Sequence, residues 1–265
     1  NELSKYSKAI LHNILVINFK VEDYSKAFEY FEVLNDRGLD VSALDLIKNQ
    51  LLQLNSNHDL IIDNWKKIFV DTLKGVSNKT QFVRYSYMSI NGHISNKEIY
   101  SSYRELFKRS NFNITNFLEN ILTIHAEIYS DFYGTIQLKE KGGHHYIGNA
   151  IELLKSTKTV QWYSVAISAL EPFYILQDNP SLYSDDLIKK TVKLLRLLHQ
   201  VMMSINFTDA KANDIEKPFP NNFASKLNYE FNNPNTSQAL SKFEEDIDTI
   251  IQDLTKFITS QGWDW

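Results

Sequence analysis

From Ser184 to Ile205 the chain sets Leu187, Leu194, Leu195, Leu198, Val201, Met202 and Ile205 at helical intervals of three, four or seven positions, and the same spacing recurs along most of the 265 residues. Residues at that spacing share one face of an α-helix, and a helix so patterned must bury its stripe against a neighbour. Only 8 Gly and 5 Pro interrupt the pattern, far too few for the frequent turns of an all-β fold. Ser42 is a good N-cap for a helix over 43–54, and the pattern repeats over 57–74 through Leu60, Ile61, Trp65, Ile68, Phe69 and Leu73. Ser95-Asn96-Lys97-Glu98 forms a capping box for a helix reaching Arg109, and Asn113 opens another that reaches Tyr133. Further helices are predicted over 146–156, 159–177 and 236–259, with Pro172 kinking or interrupting the second of these. The segments 134–145 and 206–222 read as loops, the first from Gly142-Gly143, the second from Pro218 and Pro220. No internal repeat or low-complexity tract is present.

One stretch departs from this pattern. Ile14 to Val21 is rich in β-branched residues and ends in alternation, so it reads as a strand. A lone strand leaves its backbone groups unpaired, which implies partner strands upstream of Asn1. The missing initiator Met agrees with a longer parent. The expected fold class is therefore mainly α: a multi-helix array with one N-terminal β-strand left over from a truncated α/β domain.

Composition narrows the function classes. There are no cysteines, which removes disulfides, thiolate metal sites and cysteine nucleophiles and fits a cytoplasmic protein. The formal net charge is −4, from 28 basic and 32 acidic residues, so any nucleic-acid contact has to come from a local patch. No apolar run approaches the ~18–20 residues that span a bilayer, and no membrane partner is expected. Lys189, Lys190, Lys193 and Arg196 cover two turns of one helix and form the best candidate DNA-facing stripe; a solvated helix face accounts for them equally well. Looser basic groups occur at Lys66-Lys67 and at Arg104 with Lys108-Arg109. The aromatic-rich run Phe82 to Tyr87 has the chemistry to stack on bases, but its helical spacing favours the core. His144-His145 lack a nearby third ligand and read as loop residues rather than metal ligands. His125 and His199 fall within helical patterns and read as partner-satisfied structural histidines, and no nucleophile elbow or phosphate-binding glycine loop occurs. No catalytic residue and no metal ligand are assigned.

The most specific segment runs Phe31-Glu32-Val33-Leu34-Asn35-Asp36-Arg37-Gly38, then through Ser42 to Asp45-Leu46-Ile47-Lys48-Asn49. It reads as a helix, a tight polar turn in which Asn35 and Gly38 suit positive φ, and a capped helix. The free N–H groups at the start of that second helix lie near Arg37 in sequence, which makes a plausible anion site. Together with the preceding strand, residues 15–52 resemble the ParB/sulfiredoxin-like domain that opens GmrSD-type (type IV, modification-dependent) restriction endonucleases; Val41 stands where Leu is usual. The resemblance implies a prokaryotic anti-phage defence protein that cuts modified or foreign DNA. Such a protein has an NTP-hydrolysing N-terminal domain and a C-terminal His-Me finger nuclease. The family's Asp-Gly-Gln-Gln-Arg run is expected upstream of Asn1, and no His-Me finger is evident before Trp265. On this reading 1–55 is the C-terminal part of the nucleotide-handling domain and 56–265 a helical domain. Nucleoside triphosphate, a divalent metal and DNA then belong to the intact parent rather than to this chain.

Carried over position by position, Asn35, Arg37 and Gly38 would line the nucleotide pocket or its switch turn, with Asp45, Lys48 and Asn49 bracing it. The plainer alternative is a surface pair at Asp45 and Lys48 and a helix stop at Asn35 and Gly38. The competing function is a helical DNA- or protein-binding or scaffold module without enzymatic activity. If Arg37 contacts a phosphate, Arg37→Ala in the full-length parent weakens nucleotide binding; unchanged binding in a nucleotide titration would remove that assignment.

Overall fold

Ser42 caps the first of the described helices, as the sequence predicts. Its Oγ accepts the Asp45 N–H at 3.2 Å and donates to the Asp45 carboxylate at 2.7 Å, so an orphan donor at the helix start is satisfied. The computed structural model describes residues 42–134, 138, 145–176, 182–208, 212–227 and 236–263. The strand expected over 14–21 and the turn holding Asn35, Arg37 and Gly38 lie outside the described residues. Within them the protein is mainly helical, and there is no strand.

The helices are α1 (Ala43–Leu54), α2 (His58–Lys66), α3 (Lys79–Asn91), α4 (Ile99–Phe107) and α5 (Thr123–Tyr133), followed by α6 (His145–Ser156), α7 (Tyr163–Ile175), α8 (Asp185–Phe207) and α9 (Thr236–Ser260). Wider turns extend two of them: Lys67–Thr72 continues α2, and Phe117–Leu122 leads into α5. The capping box predicted at Ser95 is present, with the Ser95 N–H donating to Glu98 at 2.8 Å. Residues Ser42–Trp265 form one compact unit, and within it α1 packs against α2, α3 and α4.

The centre of this unit is α7. Every residue from Tyr163 to Tyr174 is buried, so this helix has no solvent face; it packs against α3 and α5 and touches α8. Its composition permits this because Val165, Ala166, Ile167, Ala169 and Leu170 alternate with the small residues Ser164 and Ser168, and the Ser168 hydroxyl reaches backbone carbonyls. Ser168 donates to Ser89 O on α3 at 2.9 Å and to Ser164 O at 3.2 Å. Pro172 neither ends nor interrupts the helix, which runs on to Ile175, and the Pro172 carbonyl accepts the Leu176 N–H at 3.0 Å.

One expectation is met and another needs correction. The run Phe82 to Tyr87 is part of α3, and Phe82 to Ser86 are buried there as the helical spacing favours, with Tyr87 half-buried. Tyr85 in that run has its phenol pushed up to about 12, chiefly by burial. The segment expected as a loop over 206–222 instead contains a short helix, Ala212–Glu216, and the start of a wide helical turn, Phe219–Phe223, which a 3₁₀ turn, Ala224–Lys226, follows. Pro218 stands at the start of the first turn, where a missing N–H costs nothing, and Phe219 and Phe223 are buried. Prolines that read as loop punctuation here start a packed turn.

Two contacts fasten this segment to α3. Arg84, buried, donates to Ile94 O at 2.9 Å and meets the Glu216 carboxylate at 2.6 Å. Beyond the end of α3, Gly92 adopts φ +87, and the Asn221 side-chain oxygen accepts the His93 N–H at 2.7 Å. A Cβ at position 92 would stand 2.6 Å from that oxygen. Both the backbone angle and the close approach demand glycine. Gly92→Ala is therefore expected to lower stability by about 1–3 kcal/mol in denaturant unfolding, whereas Gly75→Ala, which meets nothing within 4 Å, leaves it nearly unchanged.

Candidate functional site

The basic residues of α8 divide into two groups. Ser184 caps the helix by accepting the Leu187 N–H at 2.9 Å, and Leu187, Leu194, Leu195, Leu198, Val201 and Met202 face the core. On one flank Lys190 is held by three carboxylates: Asp186 at 2.9 Å, and Glu244 and Asp248 of α9 at 3.0 and 2.7 Å. The bond to Asp248 leads in holding its ammonium above the ordinary lysine value. Lys190 is thus neutralised and ties α8 to α9. It does not belong to a DNA-facing stripe.

Lys189, Lys193 and Arg196 form the other group. They stand four and three residues apart on one face of α8, all exposed, and none has an ion pair among the described residues. With Ile188, Val192 and Leu197 they line a groove of about 570 Å³, whose far wall includes Tyr146 of α6. Tyr146 is 59% exposed, and its ring lies against that of His145, centroids 3.8 Å apart. A row of unpaired cations therefore runs beside an exposed aromatic pair. Sequence reading found the cations but did not join Tyr146 and His145 to them, because a side chain on another helix joins the stripe only in the fold.

Other residues named from the sequence go elsewhere. Asp45 serves the Ser42 cap, while Lys48 and Asn49 are half-buried on α1. Lys108 pairs with Glu105 at 2.7 Å, and Arg109 donates to Asn91 at 3.0 Å. His145 begins α6 rather than lying in a loop, and His144 is outside the described residues. Among the described residues, no group of three His, Asp or Glu side chains is placed to hold a metal ion, and no helix is long and apolar enough to cross a membrane.

His125 fulfils its structural expectation in a way the sequence does not reveal. Its Nδ1 lies 2.8 Å from Ser86 Oγ on α3, and its Nε2 lies 2.6 Å from Glu171 Oε1 on α7. Ser86 is also hydrogen-bonded to the Tyr103 hydroxyl of α4, which donates to Val83 O at 2.8 Å. The composition is that of a nucleophile, base and orienting acid, but His125 and Glu171 are sealed from solvent. These bonds join α3, α5 and α7 through the interior as a buried polar network. Glu171 Oε2 has no partner, and burial raises the Glu171 carboxyl above its ordinary value against the opposing pull of His125. His199, by contrast, makes no hydrogen bond among the described residues, and burial lowers its imidazole pKa.

Comparison with protein-family models, with curated proteins and with solved structures gives no match.

The network generates a pH dependence with a definite sign. Because the folded-state pKa of Glu171 is raised, the native state holds a proton that the unfolded state releases above the ordinary carboxyl value of 4.5. That contribution is complete below the unfolded pKa and is lost as pH rises through the folded one. Glu171→Gln carries a neutral amide at every pH and is spared this loss. The melting temperature of the variant minus that of the parent chain should climb from pH 4.5 toward 8; a flat difference in thermal melts would show that Glu171 is not held protonated.

Proposed function

We propose that the helical unit is a nucleic-acid-binding module, and that the α8 groove takes the backbone of a DNA strand. The observation that carries this reading is the unpaired row Lys189, Lys193 and Arg196 beside exposed Tyr146, on a chain whose net charge is −4. Seven residues of helix cover roughly 10 Å. A single strand advances ~3.4 Å per phosphate, so the row meets about three of them. Aromatic rings next to a cationic groove supply stacking that tolerates any base, the arrangement by which single strands are gripped without sequence readout. The neutralisation of Lys190 sharpens the polarity of the helix: one flank is committed to α9 and the other is left for an anionic partner.

The resemblance of residues 15–52 supports the parent in which this module works: an NTP-dependent, modification-dependent restriction endonuclease of prokaryotic defence. In such a protein the helical unit grips DNA while nucleotide hydrolysis and strand cleavage take place in other domains. The chain alone is then a non-catalytic part.

The test is a salt titration of single-stranded and duplex DNA binding. Each phosphate contact contributes ~0.7–0.9 to the log–log slope, so replacing Lys189, Lys193 and Arg196 together by Ala should flatten the slope by roughly 2–3 and weaken binding at low salt. Lys190→Ala should leave the slope unchanged. A triple variant with the parental slope would exclude the groove as the DNA contact.

A further inference from the structure

A second concavity lies away from α8, between α3, α4 and the turn from Arg109 to Phe117. It encloses about 200 Å³. Its walls are aromatic and aliphatic, with the rings of Tyr87, Tyr103, Phe112 and Phe117 among them. Its polar lining is unusual in sign: the guanidinium of Arg109 and the amides of four asparagines contribute, and no Asp or Glu lines it.

The internal hydrogen bonds leave this lining rich in donors. Asn91 Oδ1 accepts from Arg109 Nη1 at 3.0 Å. Asn113 Oδ1 accepts the Asn116 N–H at 2.8 Å, and Asn116 Oδ1 accepts from Asn120 at 2.7 Å. These bonds consume amide oxygens and fix which way the Asn113 and Asn116 side chains are turned. Their NH₂ groups, the remaining guanidinium N–H groups and the Tyr87 hydroxyl have no partner among the described residues. Ser86, at the wall, is already engaged with His125 and Tyr103. The cavity lining carries one positive charge and no carboxylate.

We propose that this cavity binds a small aromatic carboxylate. The ring lies among Tyr87, Phe112 and Phe117, and the carboxylate takes N–H groups from Arg109 and from the amides of Asn113 and Asn116; the Asn91 amide already donates to Tyr87 O. The size agrees: a cavity on the order of 150 Å³ accepts benzene, and 200 Å³ leaves room for a ring with a carboxylate attached. The charge agrees, because guanidinium matches the two oxygens of a carboxylate and no acidic side chain opposes it. A cation would meet Arg109 and find no carboxylate to balance it.

The experiment is a calorimetric titration of the whole chain with sodium benzoate, with benzamide as the uncharged counterpart of the same shape. Benzoate is expected to bind with Kd on the order of 10–1000 μM, and benzamide at least roughly tenfold more weakly. Arg109 is exposed, so Arg109→Ala should fold normally by circular dichroism and bind benzoate roughly tenfold more weakly. The Lys189, Lys193 and Arg196 triple variant should bind it as the parent does, which separates this site from the α8 groove. No saturable benzoate binding, equal affinity for benzamide, or unchanged affinity in Arg109→Ala would each overturn the assignment.

Discussion

The hydrogen-bond chain from Glu171 through His125 and Ser86 to Tyr103 crosses α7, α5, α3 and α4, and the packing of those helices depends on it. Apolar packing alone tolerates many small shifts of one helix along another, because no single contact is directional. A buried imidazole bonded on both sides admits far fewer. Moving α5 by one turn would leave a carboxyl, an imidazole and a hydroxyl without partners in a region that water does not reach, and each such loss costs on the order of 1–3 kcal/mol. The aromatic contacts around it are compatible with the same arrangement: Tyr129 lies 5.3 Å from Phe82 and 5.4 Å from Tyr163, centroid to centroid, which joins the same three helices α3, α5 and α7. The polar chain sets the register that these rings then fill.

Charge on this protein is organised by consumption. The acidic excess is spent partly inside the structure, on Lys190 and on Arg84, where it joins elements together. What remains unpaired on α8 is a short cationic row next to an aromatic ring. A near-neutral global charge therefore conceals a strongly polarised helix. A lysine one position away from another has an opposite electrostatic fate, since neighbours in a helix differ by about 100° in direction.

Much of the architecture was legible from spacing. The Ser42 cap, the Ser95 capping box, the Asn113 and Ser184 helix starts and the long final helices are local features, set by residues within one turn of each other, and they stand where the pattern puts them. The errors are equally instructive. Pro172, Pro218 and Pro220 carry a local bias toward breaks, which the burial of α7 and of Phe219 and Phe223 overrides. The candidate site was half legible: a cationic stripe shows in one helix, but the capture of Lys190 by α9 and the arrival of Tyr146 from α6 are long-range events. The partners of His125 were invisible for the same reason, standing 39 and 46 residues away. Nothing in the spacing around Arg109 foretells a cavity, which arises from what adjacent helices fail to fill.

The clasp of the 212–227 segment onto α3 has a consequence for how the chain reaches its native state. The bonds Arg84 to Glu216 and His93 to Asn221 join residues 132 and 128 positions apart. During synthesis at ~5–20 residues per second, α3 emerges several seconds before the segment that will cover it. Throughout that interval the site that Phe219 and Phe223 will occupy stands open and Arg84 lacks its counter-ion. Closure of so distant a pair comes late and slowly, in the way that non-local contacts retard folding generally. The nascent chain thus passes through a stage in which a half-built helical array presents an apolar seam.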